Sequence, residues 1–126
     1  MSGTPGRLLI VDDEPGFTRF VEYVAEGIGL EVRSLHDGSE VEAVLATWEP
    51  GIILLDINMP GRDALGLLGL LAARSYGGAV VVISGAAPEY LQMTGASARM
   101  RGLNLAAVRS KPIRKQELEE LLEGLR

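Results

Sequence analysis

Short, unbroken apolar runs alternate with longer amphipathic stretches along the whole chain. Leu8-Leu9-Ile10-Val11 stops at Asp12-Asp13, Ile52-Ile53-Leu54-Leu55 stops at Asp56, and Ala79-Val80-Val81-Val82-Ile83 stops at Ser84-Gly85. Runs this short and rich in β-branched residues, with no polar face, predict strands buried on both sides, as in a parallel sheet. Glu31-Val32-Arg33-Ser34-Leu35 is more polar and alternates, which predicts an edge strand. Leu105-Ala106-Ala107-Val108 predicts a fifth strand just ahead of Lys111-Pro112.

The stretches between these runs carry helical spacing. Pro15 suits a first helical turn, Phe17, Phe20, Val21 and Val24 follow on one face, and Gly27 and Gly29 end the helix. Ser39 to Trp48 predicts a second helix with Val41, Val44 and Leu45 on one face, Trp48 covering that face and Pro50 beyond its end. A third helix is expected after an Asp63 N-cap, with Leu65, Leu68, Leu71 and Ala72 turned inward. Gly66 and Gly69 inside it should each cost about 1 kcal/mol against Ala. Pro88 opens a fourth helix running to about Arg101 and Gly102, where Met93 and Met100 are expected to pack. Pro112 leads into a fifth, with the stripe Leu118, Leu121, Leu122 and Leu125. The order βαβαβαβαβα predicts a parallel sheet covered by helices on both faces. Ligands of such folds bind outside the carboxyl ends of the strands, near the point where the strand order reverses.

Composition narrows the function classes. The chain has 126 residues, 47% of them hydrophobic, and no cysteine. That length suits one domain, which can bury roughly two-thirds of its unfolded surface. Disorder, a disulfide framework, a thiolate nucleophile and Cys-ligated zinc are excluded. No apolar run approaches the roughly 20 residues of a membrane span, and no signal peptide is expected, so the expected location is the cytoplasm. The formal charge is −5. It is uneven: residues 1–98 carry a net −8 and residues 99–126 a net +3. Net acidity speaks against direct nucleic-acid binding.

The strand ends carry the candidate chemistry. A parallel sheet brings Asp12, Asp13, Asp56, Ser84 and Lys111 to one edge. Three converging carboxylates repel one another and resist burial. Lys111 offsets one charge, and a single Mg²⁺ (or Mn²⁺), which prefers oxygen ligands, would balance the rest. A carboxylate beside such a metal, a hydroxyl and a lysine is equipped to receive a phosphoryl group. No Walker loop or Gly-x-Gly-x-x-Gly stretch is present, so the phosphate is expected from a partner.

Four motifs carry a family resemblance: Val11-Asp12-Asp13-Glu14, Leu55-Asp56-Ile57-Asn58-Met59-Pro60-Gly61, Ile83-Ser84-Gly85-Ala86 and Ser110-Lys111-Pro112-Ile113. In this order, each at a strand end, they resemble the receiver domain of two-component response regulators, from Arg7 to Leu125. The resemblance implies a flavodoxin-like doubly wound sheet of order 2-1-3-4-5 with five helices. It implies Asp56 as phosphoacceptor, with Asp13, Asp56 and the Asn58 carbonyl binding the metal and Asp12 completing the metal site by holding metal-bound water. Ser84 and Lys111 would contact the phosphoryl group, and Pro112 resembles a cis-proline that would aim the lysine. The implied partners are a sensor histidine kinase or a histidine phosphotransfer protein. An output domain or a second copy would bind through the fourth helix, fifth strand and fifth helix, where Arg99, Arg101, Arg109, Arg114 and Lys115 lie. No membrane partner is implied. The domain is expected to be regulatory rather than an enzyme, to occupy residues 1–126 with a flexible tail at 1–6, and either to stand alone or to belong to a longer regulator.

Two positions depart from the family pattern. Val108 stands where many receivers carry a switching aromatic, which points to atypical switching. Asp63-Ala64 replaces the usual Asp-Gly. Two other functions compete. An aspartate-nucleophile phosphatase would need an acid two residues after Asp56, where Asn58 stands. A phosphate-independent interaction module would keep the fold alone. His36, in His36-Asp37-Gly38, is expected in an exposed turn.

Overall fold

Alternate residues of each apolar run face opposite sides of the sheet, so runs with no polar member need cover on both. The computed structural model, which describes residues 4–58 and 64–126, provides that cover. Five strands, β1 (Thr4–Val11), β2 (Glu31–Leu35), β3 (Pro50–Leu55), β4 (Ala79–Ser84) and β5 (Asn104–Ser110), pair in parallel in the order β2-β1-β3-β4-β5. The helices are α1 (Pro15–Gly27), α2 (Val41–Thr47), α3 (Ala64–Ala73), α4 (Pro88–Met100) and α5 (Lys115–Leu125). The doubly wound parallel fold expected from the sequence is the one observed.

Two cores result. Leu8, Ile10, Ile52, Leu54, Val81 and Ile83 pack against Val21 and Val24 of α1 and Leu118 and Leu122 of α5. Leu9, Val11, Ile53, Leu55 and Val80 pack on the other face with Leu45 of α2, Leu67, Leu68 and Leu71 of α3, and Ala98 of α4. Each large aliphatic side chain so buried stabilises the fold by about 1.5–3 kcal/mol before entropy is counted. At the end of α1, Gly29 has φ +91 and the Leu30 N–H returns to Ala25 O, so a left-handed residue closes the helix there.

The structure corrects several boundaries. β1 begins at Thr4, whose N–H bonds Glu49 O, so Thr4 to Gly6 belong to the sheet rather than to a flexible tail. The second helix begins as a 3₁₀ turn at Gly38–Glu40, because the Asp37 carboxylate accepts the Ser39 N–H at 2.6 Å and tightens the entry. Trp48 is buried at the end of α2, with the guanidinium groups of Arg7 and Arg33 against its ring. Pro50 starts β3. In α3 the inward face is Leu67, Leu68 and Leu71, while Leu65 is 46% exposed. Ala64–Ala73 contains only Ala, Leu and Gly, so no polar residue marks the outer face. Met93 and Met100 of α4 are 62% and 88% exposed rather than packed. Asp63 and Met59–Gly61 lie outside the described residues.

Candidate functional site

The strand order reverses between β1 and β3, and the residues that follow them open the site. Asp12 follows β1 and is fully buried. Its N–H bonds Leu35 O at 3.0 Å and its Oδ1 accepts the Glu14 N–H at 2.9 Å. Its carbonyl accepts from His36 Nδ1 at 3.2 Å, which makes Nδ1 the protonated ring nitrogen. His36 itself is in the expected exposed turn. Asp56 follows β3 and extends the ladder by one bond, from its N–H to Val11 O at 2.9 Å. Ser84 ends β4 and Lys111 follows β5, joined by a bond from the Lys111 N–H to Ser84 O at 2.9 Å.

The side chains converge on Asp56, which is 3% exposed. Its Oδ1 accepts from Ser84 Oγ at 2.5 Å and from the Asn58 N–H at 2.9 Å. Its Oδ2 lies 3.1 Å from Lys111 Nζ. Lys111 Nζ also meets Asp12 Oδ2 at 2.9 Å and hydrogen-bonds the Glu14 carboxylate, and it sits 4.3 Å from the ring centre of Phe17. Carboxylate oxygens of Asp12, Asp13 and Asp56 lie within 4.8 Å of one another. The structure therefore brings together Asp12, Asp13, Asp56, Ser84 and Lys111, with Asn58 joining through its backbone N–H.

Burial pushes the Asp12 carboxyl above its ordinary value, the Glu14 N–H and Lys111 pull it back, and Asp56 adds repulsion. Burial also works against the Lys111 charge, but the Glu14, Asp12 and Asp56 carboxylates outweigh it and hold the ammonium above its ordinary range. Lys111 is thus firmly cationic.

A divalent cation fits the donor set. The three aspartates offer only hard oxygen ligands, which suit Mg²⁺ or Mn²⁺. Asp12 Oδ2 is buried and pairs with Lys111, and among the described residues it receives no well-aligned hydrogen bond, so it retains acceptor capacity. Three carboxylates, of Asp12, Glu14 and Asp56, meet the Lys111 ammonium, and with Asp13 nearby the site sets four acids against it where the sequence argument counted three.

Glu14 and Phe17 were not singled out as site residues from the sequence. Glu14 belongs to the acidic run Asp12-Asp13-Glu14, and counting it would have found the larger charge imbalance. Phe17 is indistinguishable from the other apolar members of the α1 stripe. A cavity of about 530 Å³ beside Lys111 is lined by Glu14, Phe17, Phe20, Lys111, Pro112 and Ile113. The Lys111–Pro112 peptide bond is cis. Val108 is half-buried against the cluster of Ile57, Val82 and Leu91.

Three of the exposed basic residues have local partners. Arg109 pairs with Glu117 at 3.2 Å, Arg101 Nε reaches Ser97 Oγ, and Lys115 turns toward Tyr23 of α1. Among the described residues, no helix is long and apolar enough to cross a membrane.

The profile of the response regulator receiver domain family matches residues 8–123. The chain is 39% identical over 66 residues, 52% of its length, to the transcriptional regulatory protein TrcR of Mycobacterium tuberculosis, covering 26% of that protein. It is 36% identical over 103 residues, 81% of its length, to a protein-glutamate methylesterase/protein-glutamine glutaminase of Rhodospirillum rubrum, again covering 26%. The first such relatives are covered over only 13–30% of their own length. Among solved structures, the CheY-like receiver domain protein of Methanospirillum hungatei superposes with a TM-score of 0.83 at 22% identity, over 96% of this chain and 93% of that one. A response regulator from Colwellia psychrerythraea gives 0.80 at 27% identity, with 97% of each chain covered. The motifs at the strand ends, the strand order 2-1-3-4-5 and these matches agree: the chain belongs to the response regulator receiver domain family.

Proposed function

We propose that this domain is a phosphorylation-controlled signalling switch in which Asp56 accepts a phosphoryl group from a sensor histidine kinase or a histidine phosphotransfer protein. An Asp56 oxygen attacks phosphorus, the bond from phosphorus to the donor imidazole breaks, and the imidazole departs with the electron pair. Asp12, Asp13 and Asp56, with the Asn58 carbonyl, hold Mg²⁺ or Mn²⁺. When bound, the metal offsets cluster charge and stabilises phosphoryl oxygens. Lys111 pairs with the phosphoryl group and Ser84 donates to one of its oxygens.

One observation carries this proposal. Asp56 sits at the strand-order reversal with Ser84 on one carboxylate oxygen and Lys111 on the other, among further acids that need a cation.

The output follows from the same neighbourhood. Ile57, next to Asp56, packs with Leu91 of α4, and Ala86, two residues after Ser84, and Val108 of β5 pack against them. A phosphoryl group adds roughly −1.5 to −2 charge at Asp56. That charge redistributes Ser84 and the loops bearing Ile57 and Ala86, and so reaches the α4-β5-α5 surface, where an output domain or a second copy docks. With Val108 in place of an aromatic ring, transmission runs through this aliphatic cluster.

The test is incubation with acetyl phosphate and Mg²⁺ followed by intact mass measurement. A gain of one phosphate is expected in the parent chain and none in Asp56→Asn. An unchanged mass in the parent, or a gain retained in the variant, refutes the assignment of Asp56.

A further inference from the structure

We propose that Glu14 is a positioning residue that holds Lys111 in the unphosphorylated state and so limits how fast Asp56 takes up a phosphoryl group. The inference deepens the phosphoacceptor reading above and rests on it. Glu14 occupies the N-cap of α1 in an extended conformation, φ −93 and ψ 107, yet its side chain makes no capping bond. Its carboxylate crosses to Lys111 Nζ, 97 residues away in sequence. The Phe17 ring, one turn further along α1, flanks the same ammonium. Lys111 is therefore held from the α1 side by Glu14 and Phe17 and from the sheet edge by Asp12 and Asp56.

This arrangement has two consequences for phosphoryl uptake. A phosphate-bearing donor is anionic and must approach an edge where Glu14 adds a carboxylate to those of Asp12, Asp13 and Asp56. Glu14 also competes for Lys111, the one cation beside Asp56 among the described residues. With acetyl phosphate as donor, an Asp56 oxygen bonds phosphorus and the bond from phosphorus to the acetyl oxygen breaks. Acetate leaves with the electron pair, and no proton is needed. Lys111 must then turn from Glu14 to the new phosphoryl oxygens. The Glu14 side chain is 60% exposed, while those of Lys111 and Asp56 are 12% and 4% exposed. An exposed carboxylate is held weakly and exchanges its partner readily for water, so it restrains Lys111 without locking it.

The test compares the parent chain with Glu14→Gln and Glu14→Asp at several salt concentrations, using acetyl phosphate and Mg²⁺ with mass-resolved time courses. Glu14→Gln is expected to raise the second-order rate constant by about threefold, the size of an exposed ion-pair effect, and to change its salt dependence. Glu14→Asp, which restores the charge, is expected to move both back toward the parent values. A purely structural role would shift neither the salt dependence nor the recovery by Asp. Glu14→Ala serves as a second uncharged variant should Glu14→Gln fold poorly. Equal rates and salt slopes in parent and uncharged variants, or a slower uncharged variant, overturn the inference while leaving the acceptor assignment standing. If the parent chain gains no phosphate, or Asp56→Asn still gains it, the acceptor reading fails and this inference falls with it.

Discussion

Ser84 Oγ donates a hydrogen bond of 2.5 Å to Oδ1 of Asp56, joining the ends of β4 and β3. Both side chains are almost fully buried. A hydrogen bond to a charged group contributes about 1.5–3 kcal/mol, because the buried acceptor has no water to replace it. Among the described residues, Ser84→Ala leaves Asp56 Oδ1 with the Asn58 N–H alone. The expected loss is about 2 kcal/mol of unfolding free energy in chelator-containing buffer, with Ser84→Thr retaining most of it. Urea denaturation of the three proteins decides this, and parent-like stability of Ser84→Ala would show that the hydroxyl contributes little.

Lys111 compensates buried charge. The Asp12 and Asp56 side chains are 0% and 4% exposed and both meet its ammonium. Lys111→Met removes the cation and leaves the carboxylates unpaired, at an expected cost of about 3 kcal/mol without metal. Free Mg²⁺ at 100 times its dissociation constant stabilises a folded protein by about 2.7 kcal/mol. Melting temperatures should therefore rise with Mg²⁺ in both proteins and recover part of the Lys111→Met loss. A variant as stable as the parent in chelator would disprove the charge-compensation argument.

Tyr76 reports on the opposite end of the sheet. Its hydroxyl donates to Pro50 O at 2.8 Å, and burial pushes its pKa above the ordinary 10.0. Below pH 10.0 folded and unfolded chains both keep this proton, so its contribution is complete. Above that value the unfolded chain releases the proton first, so stability falls as pH rises, by up to about 1.4 kcal/mol per pH unit. Tyr76→Phe should be about 1 kcal/mol less stable at neutral pH, from the lost hydrogen bond, and should show a shallower alkaline decline. Identical alkaline slopes in parent and variant would rule out Tyr76 as the source.

Gly95 allows α4 to lie close to β5. A β-carbon there would stand 3.2 Å from Leu105 Cδ2 and 3.3 Å from Val108 Cγ2, closer than ordinary contact. Ala gains about 1 kcal/mol of helix propensity over Gly, and the crowding opposes it. Gly95→Ala is expected to be neutral or destabilising in the parent and less unfavourable in a Val108→Ala background, where only the Leu105 contact remains. A double-mutant cycle should give a coupling of at least about 0.5 kcal/mol. Additive effects would mean that Val108 does not set the α4–β5 spacing.

Much of the fold was readable from residue order. β2 runs over the predicted residues, and α1 starts at Pro15 as expected, because a polar alternation and a helix-starting proline are local signals. The face of α3 was not readable, since a helix of Ala, Leu and Gly has no polar side to exclude from the core. The start of β1 was missed because Thr4-Pro5-Gly6 has turn composition, and its pairing comes from Glu49 and Pro50, far along the chain. At the site, Asp12, Asp56 and Ser84 were legible because each directly follows an apolar run, and Asp13 and Lys111 because they lie within three residues of one. Glu14 and Phe17 were not, because their role depends on where the Lys111 side chain comes to rest.

The sequence by itself determined the strand–helix alternation, the two-sided burial of the strands and the set of polar residues at their carboxyl ends. These follow from side-chain periodicity and from where apolar runs stop, which are properties of neighbours along the chain. The tertiary structure alone decided which carboxylates share Lys111, that Asp12 Oδ2 retains an acceptor site, and that Glu14 and Phe17 enclose the ammonium. Those relationships join side chains up to 99 positions apart, and their distances are set by strand register and helix packing rather than by local pattern.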